Sequence, residues 1–260
     1  MEYKVEVLLS TMFEDSMDII DRANIQSDVV VINQCDKNEY KEKKTDYGTV
    51  RFFSTTDRGL SRSRNMALAL STGDVCLICD NDVEYMNGYV EIVNKAFIEV
   101  PDADVLIFDS LLTTRDGEVK TRGFTKIKKV SRYKTYSSCF IAFKRDKIQF
   151  NQIFFNTKFG TGSGIYKMGE EAVFLRECYK KGLKAYTYPA VIHKWDFSET
   201  TWFEGYNEKY FNDIGAFVAE SYPFLKHFVK WYYPIRLGKE ADMSILSMMK
   251  FINQGIKSYK

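Results

Sequence analysis

Proline is scarce in this chain, four in 260 residues, which leaves little material for a stiff linker and argues for one core unit. No hydrophobic run approaches the roughly 18 residues needed to cross a bilayer, so a transmembrane span is not expected. Charge of one sign is also lacking: 37 Lys and Arg stand against 35 Asp and Glu, a net of +2. Nucleic-acid binding, which needs a concentrated basic face, is therefore excluded, and any anionic ligand must be met locally. Met1-Glu2-Tyr3-Lys4-Val5-Glu6 lacks the basic-then-apolar order of an export signal, and the five cysteines are an odd number. Both features predict a cytoplasmic protein with reduced thiols. Cys76 and Cys79 form C-x-x-C inside an apolar strand pattern, which points them to opposite faces as core thiols rather than a redox pair.

What remains is 45% apolar, enough to bury a full core, with no internal repeat or low-complexity tract. Runs rich in β-branched residues predict strands at Lys4–Leu9, Val29–Asn33, Val50–Ser54, Val75–Cys79 and Asp104–Phe108. A further strand is predicted at Ser138–Phe143. Helical spacing appears at Asp15–Ala23, Leu60–Leu70, Tyr89–Val100 and Glu170–Lys181, the last closed by Gly182 and followed by the apolar, aromatic stretch Ala185–Ile192. The alternation predicts an α/β fold with a mostly parallel, Rossmann-like sheet flanked by helices. In such sheets ligands sit beyond the carboxyl ends of the strands.

From Thr201 the composition changes, with 14 aromatic residues in the last 60 against 26 in the first 200. This divides the chain into residues 1–200 and an aromatic-rich helical extension, 201–260. The extension holds Trp231-Tyr232-Tyr233-Pro234 among Lys226, Lys230, Arg236 and Lys239, then the amphipathic Met243–Ile256. It reads either as a lid whose aromatics pack on the sheet or as a basic, aromatic surface in peripheral contact with anionic lipid.

The clearest chemical signal is Gly73-Asp74-Val75-Cys76-Leu77-Ile78-Cys79-Asp80-Asn81-Asp82. A buried strand ends in two carboxylates at i and i+2, which share a face and can hold a hard divalent cation against phosphate oxygens. A solvated acidic turn would look the same. Upstream, Asp57-Arg58-Gly59-Leu60-Ser61-Arg62-Ser63-Arg64-Asn65 is a glycine turn into an arginine-bearing helix, a favourable cradle for a diphosphate. Asp57 and Arg64 are thus candidates for nucleotide contact, the alternative being a basic helix face turned to water. The G-x-x-x-x-G-K-[ST] pattern is missing, and Gly160-Thr161-Gly162-Ser163-Gly164 does not have dinucleotide-binding spacing. A dehalogenase-type phosphatase would want its acidic pair after the first strand, where Ser10-Thr11-Met12 stands.

In order, these segments resemble the inverting family-2 glycosyltransferases of the GT-A fold, in particular those of bacterial surface-polysaccharide synthesis. The resemblance is carried by Asp36 after the second strand, R-G-L-S-R-S-R-N-M-A from Arg58, G-D-V-C-L-I-C-D-N-D from Gly73, G-E-E-A-V-F-L from Gly169 and V-I-H ending at His193. It spans residues 4 to 195. It implies that Thr11 and Asp36 meet the nucleoside, that Arg64 meets the nucleotide, and that Asp80 lies near ribose and metal. It also implies that Asp82 binds Mn²⁺ or Mg²⁺, with His193 as a third metal ligand.

The same resemblance makes Glu171 the catalytic base, although the family usually has the shorter Asp there, and Glu170 an acceptor for sugar hydroxyls. Both could instead be first-turn acids favoured by the helix dipole. Phe159–Gly164 reads as a mobile acceptor-side loop or a plain turn, and Trp195 as a sugar-stacking or a core residue. The implied partners are a nucleoside-diphosphate sugar, uridine-based by resemblance, and a glycan or lipid-linked hydroxyl on the cytosolic side. The competing readings are a nucleotidyl- or phosphoryl-transfer enzyme and a catalytically silent carbohydrate-binding module.

Overall fold

The structure is a computed structural model that describes residues 2–114, 117–196 and 203–259. In chain order the strands are β1 (Val5–Met12), β2 (Asp28–Gln34), β3 (Glu39–Lys44), β4 (Thr49–Thr55), β5 (Val75–Asp80), β6 (Val83–Tyr85), β7 (Val105–Thr113), β8 (Val119–Lys120), β9 (Lys128–Lys129), β10 (Ile141–Lys144) and β11 (Ala185–Asp196). The helices are α1 (Ile19–Arg22), α2 (Leu60–Leu70), α3 (Tyr89–Glu99), α4 (Arg145–Phe150), α5 (Glu170–Lys180), α6 (Glu208–Ser221), α7 (Lys226–Val229), α8 (Tyr232–Leu237) and α9 (Ile245–Ser258).

One sheet runs in the order β3-β4-β2-β1-β5-β10-β7-β11-β6, with β8 on β7 and β9 on β11. The strands β4, β2, β1 and β5 are mutually parallel, so their carboxyl ends share one rim, where Ser10 of β1 stands beside Asp80 of β5. Val7, Leu9, Val29–Ile32 and Cys76–Cys79 are almost fully buried, as strands covered on both faces require. All five cysteines are buried free thiols, and burial pushes the Cys76 thiol up to about 12.

The departures from the expected elements have local causes. Strand β3, with the sequence E-Y-K-E-K-K, is exposed throughout and carries no alternation; it is a charged edge of the kind that blocks further strand addition. The expected helix at Asp15–Ala23 narrows to α1, one turn. The strand expected at Ser138–Phe143 begins only at Ile141 and runs antiparallel to β5 and β7, because Ser138–Phe140 form a 3₁₀ turn beneath the rim. Strand β11 passes through Pro189 by shifting register against β7 between Thr187 and His193.

The boundary expected at 200/201 lies outside the described residues. From Glu208 on, the helices close a second core: Phe211, Ile214, Val218, Met248 and Ile252 pack with Phe159, Tyr166 and Val173. Helices α6 and α9 cross at Gly215 and Gly255, where a Cβ on either would collide with the backbone carbonyl of Ile252 or Asn212. Among the described residues no helix is long and apolar enough to cross a membrane.

Candidate active site

Helix α2 follows β4: it starts at the rim, where the Gly59 N–H donates to Gln34, and runs back along the sheet to Leu70, whose carbonyl accepts from Arg51 near the start of β4. Ser61, Arg64, Ala67 and Leu68 recur at helical spacing and form its buried stripe, so Arg64 points inward while Arg62, off that stripe, stays in solvent. The Arg64 guanidinium, 2% exposed, is a fork between two elements. Its Nη2 donates to both Asp80 oxygens at 2.8 and 2.9 Å, and its Nη1 to Glu170 Oε1 at 3.0 Å. The Phe155 ring lies 5.5 Å from it, fixed by reciprocal hydrogen bonds between Phe155 and Asn65. Burial alone would lower the Arg64 pKa, but Asp80 and then Glu170 outweigh it and raise it above the ordinary value.

Asp80 also accepts the Ser138 hydroxyl at 2.8 Å, through the turn before β10. Asp82, just past the end of β5, accepts the Trp195 indole N–H at 2.9 Å. Burial, then the neighbouring Asp80 charge, raises Asp82 to about 6. On α5, Glu170 is buried and tied to Arg64, while half-buried Glu171 projects beside it. Burial, followed by the Glu170 charge, holds the Glu171 carboxyl well above the usual carboxylate range.

The nucleotide candidates of the first strands lie further along the rim. Thr11 is buried and its hydroxyl donates to Glu14 at 3.1 Å. Asp36 is open to solvent and pairs with Arg58 at 2.7 Å, while Asp57 pairs with Arg62 at 2.8 Å. Beside them Phe13 is 58% exposed with φ +54, a left-handed conformation unusual for an aromatic residue, and the Arg58 guanidinium lies 5.3 Å from its ring.

At the start of α2 the Leu60 N–H donates to Thr161 O at 2.9 Å and the Ser61 hydroxyl to Phe159 O at 2.7 Å. The same bonds tie the 159–164 turn to the helix. Its Gly160 sits at φ +102, a conformation that favours glycine, and a Cβ there would press on the Glu170 carboxyl at 3.3 Å.

His193 is fully buried, with the edges of Tyr85 and Phe140 against it and neither ring nitrogen hydrogen-bonded. Burial lowers it to about 3, with Asp109 the one charge opposing that shift, so the imidazole is neutral. The structure brings Asp80, Arg64 and Glu170 together with Asp82 and Glu171 as neighbours; among the described residues no three His, Cys, Asp or Glu converge on a metal-sized site. Sequence reasoning missed Phe13, Ser138 and Phe155. Only Phe13 carried a signal, as an aromatic residue immediately after a strand at the ligand-bearing rim.

Residues 18–166 match the family model of Glycosyl transferase family 2. The chain belongs to that family. The match ends just before Glu170 and Glu171, which reach the site through α5. Among solved structures the chain is similar to residues 1–349 of S. aureus TarS in complex with UDP-GlcNAc, at 14% identity and a TM-score of 0.59, covering 98% of this chain and 73% of that one. The same TarS fragment in complex with UDP gives 14%, 0.57, 97% and 70%. The longer S. aureus TarS structure gives 14% and 0.57, with 99% of this chain and 44% of that one covered. No curated protein matches by sequence. This family-2 glycosyltransferase therefore has the GT-A architecture: a mixed, mostly parallel sheet flanked by helices, with helices appended at its C-terminal end.

Proposed function

We propose that the protein is a metal-dependent, inverting glycosyltransferase that moves a sugar from a nucleoside diphosphate to a hydroxyl of a glycan or lipid-linked acceptor in polysaccharide synthesis on the cytosolic side. One observation carries this: the Arg64 fork joins the acidic strand end, Asp80, to the acidic helix start, Glu170, so donor-side and acceptor-side groups share one rigid guanidinium. The ligands of S. aureus TarS, UDP-GlcNAc and UDP, support a uridine-based donor.

The carboxylates of the rim fit a hard cation such as Mn²⁺ or Mg²⁺. Asp82, raised by burial and by Asp80, would gain from a neighbouring positive charge, whereas Asp80 is already engaged by Arg64 and Ser138. Asp82 would therefore hold the ion, and Asp80 would flank it. His193, enclosed and unbonded, is the weakest member of the proposed metal set. When bound, the ion neutralises charge on the departing diphosphate.

The chain's own groups do the rest. Trp195 orients Asp82, and Arg64 with Phe155 behind it fixes Asp80 and Glu170. Thr11, Asp36 and Asp57 border the nucleoside end, with the exposed Phe13 ring as a face for the base. Glu171 takes the proton of the acceptor hydroxyl as its oxygen bonds to the anomeric carbon and the bond to the diphosphate oxygen breaks on the opposite face. Its raised pKa makes it a stronger base than a free carboxylate once ionised. Glu170, already paired, serves as an acceptor for sugar hydroxyls.

The test is a panel of nucleotide sugars with Mn²⁺ or Mg²⁺, scored for the nucleotide released. Nucleoside diphosphate supports the reading. Pyrophosphate would reassign the protein to nucleotidyl transfer, and no release or binding across the panel would make it a silent module.

A further inference from the structure

The C-terminal helices are apolar on two sides, and only one side is covered. Val229 of α7 with Tyr233 and Leu237 of α8 turn toward α6 and α9 and join the second core. On the opposite side Phe224 is 93% exposed, Phe228 77% and Ile235 71%, with Trp231 and Tyr232 about half exposed between them. Backbone bonds from Lys230 to Lys226, Trp231 to Phe228 and Ile235 to Trp231 keep α7 and α8 in nearly continuous helical register. Positions 228, 231, 232 and 235 therefore fall on one line, with Phe224 exposed in the turn just before α7. A helix that only covers the core would carry polar residues there.

Within this segment the charges have one sign, while Glu240, just beyond it, lies close enough to act on the Arg236 guanidinium. Residues 223–239 contain Lys226, Lys230, Arg236 and Lys239 and no Asp or Glu. Arg236 donates to the Tyr232 hydroxyl at 3.0 Å, and Lys230 reaches Asn253 at 2.9 Å close to the Trp231 ring, so the cationic heads border the aromatic line. Trp and Tyr amid lysine and arginine, on a helix of two apolar faces, is the composition of a segment that lies in a membrane interface. Two copies meeting face to face would oppose like charges, whereas an anionic surface complements them.

We propose that this face seats the protein on an anionic lipid bilayer. Phe224, Phe228 and Ile235 enter the headgroup boundary, and Lys226, Arg236 and Lys239 meet lipid phosphates. The inference does not rest on the catalytic reading, since it concerns binding alone.

The test is flotation of the full chain with vesicles of phosphatidylglycerol and phosphatidylcholine against vesicles of phosphatidylcholine alone, at low and high salt. The expected result is flotation with the anionic vesicles only, weakened by salt. Phe228→Ser with Ile235→Ser should lower the apparent affinity at least about tenfold. Because both side chains face solvent, circular dichroism and thermal unfolding should not change. Arg236→Gln with Lys239→Gln should flatten the salt dependence. Absence of flotation at low salt, or unchanged flotation of the serine variant, overturns the proposal. So does a dimer seen by light scattering that the serine variant converts to monomer, which would give the face to a second copy.

Discussion

Arg64 on α2 donates to Glu170 on α5 across 106 residues of sequence, and it does so from a position that is 2% exposed. With Asp80 on its other arm, the guanidinium leaves neither carboxylate to face the low-dielectric interior alone. Its removal should therefore be felt in stability and in chemistry together. Arg64→Ala should cost about 3–5 kcal/mol, the range for breaking a buried ion pair. Arg64→Lys should hold one partner but not two, because an ammonium is a point charge without a planar fork. Denaturant unfolding of both variants, with turnover measured beside it, checks this; full stability of the alanine variant would remove the role assigned to the fork.

If Glu171 is the base, as proposed, it sets the pH dependence. A base must be ionised, so turnover should rise as pH passes through the raised Glu171 value, placing the acid limb above the usual carboxylate range. Glu171→Gln should keep nucleotide binding and lose at least about 10²-fold in turnover. The linkage has the opposite sign: a carboxyl raised on folding binds more protons in the native state, so its contribution to stability falls as pH rises above the unfolded value. The glutamine variant should thus melt higher than wild type near pH 8. Retained turnover, with Glu170→Gln inactive, would move the base to Glu170.

Asp82 is expected to couple nucleotide binding to the metal. Asp82→Asn should abolish the Mn²⁺-dependent part of nucleotide affinity, because a neutral amide does not replace an anionic oxygen ligand. Calorimetry with and without Mn²⁺ reads this directly, and equal affinities for wild type and variant would dismiss the metal assignment.

Phe13 is proposed to offer the nucleobase its face. Stacking on an aromatic ring contributes about 1–3 kcal/mol per base, so Phe13→Ala should weaken UDP binding roughly tenfold or more. An exposed side chain should leave the melting temperature nearly unchanged, which separates lost stacking from lost folding. Titration of the variant with UDP decides the matter.

Gly255 marks the closest crossing of α9 over α6. A methyl there would meet the Asn212 carbonyl, and overpacking of this kind costs typically about 1–3 kcal/mol. Gly255→Ala should lower the urea midpoint accordingly. An unchanged midpoint would mean that the two helices slide apart freely.

Much of the fold was legible because strands buried on both faces need unbroken apolar runs: Val29–Ile32 and Cys76–Cys79 are such runs, and both are almost fully buried. The hidden strands were those without such a need. β3 is all surface, β6 has three residues, and β11 continues through Pro189 because the strand can shift register there. Within the site, the acids of D-N-D and G-E-E and the arginine helix were visible as residue types. Which arginine is buried was readable too, since Arg64 shares a helical stripe with Ser61 and Leu68 while Arg62 does not.

Periodicity and strand polarity are local properties of the chain, and they were enough to specify the parallel sheet, the rim on which ligand groups collect and the supply of carboxylates. Which of those groups pair is a matter of packing between distant segments. Arg64 binds Glu170 through contacts between elements far apart in the chain, the 159–164 turn bonds to Leu60 and Ser61 at the start of α2, and His193 lies sealed between aromatic rings. Those outcomes depend on distances of a few ångströms between segments whose order in the chain carries no record of their spacing in the fold.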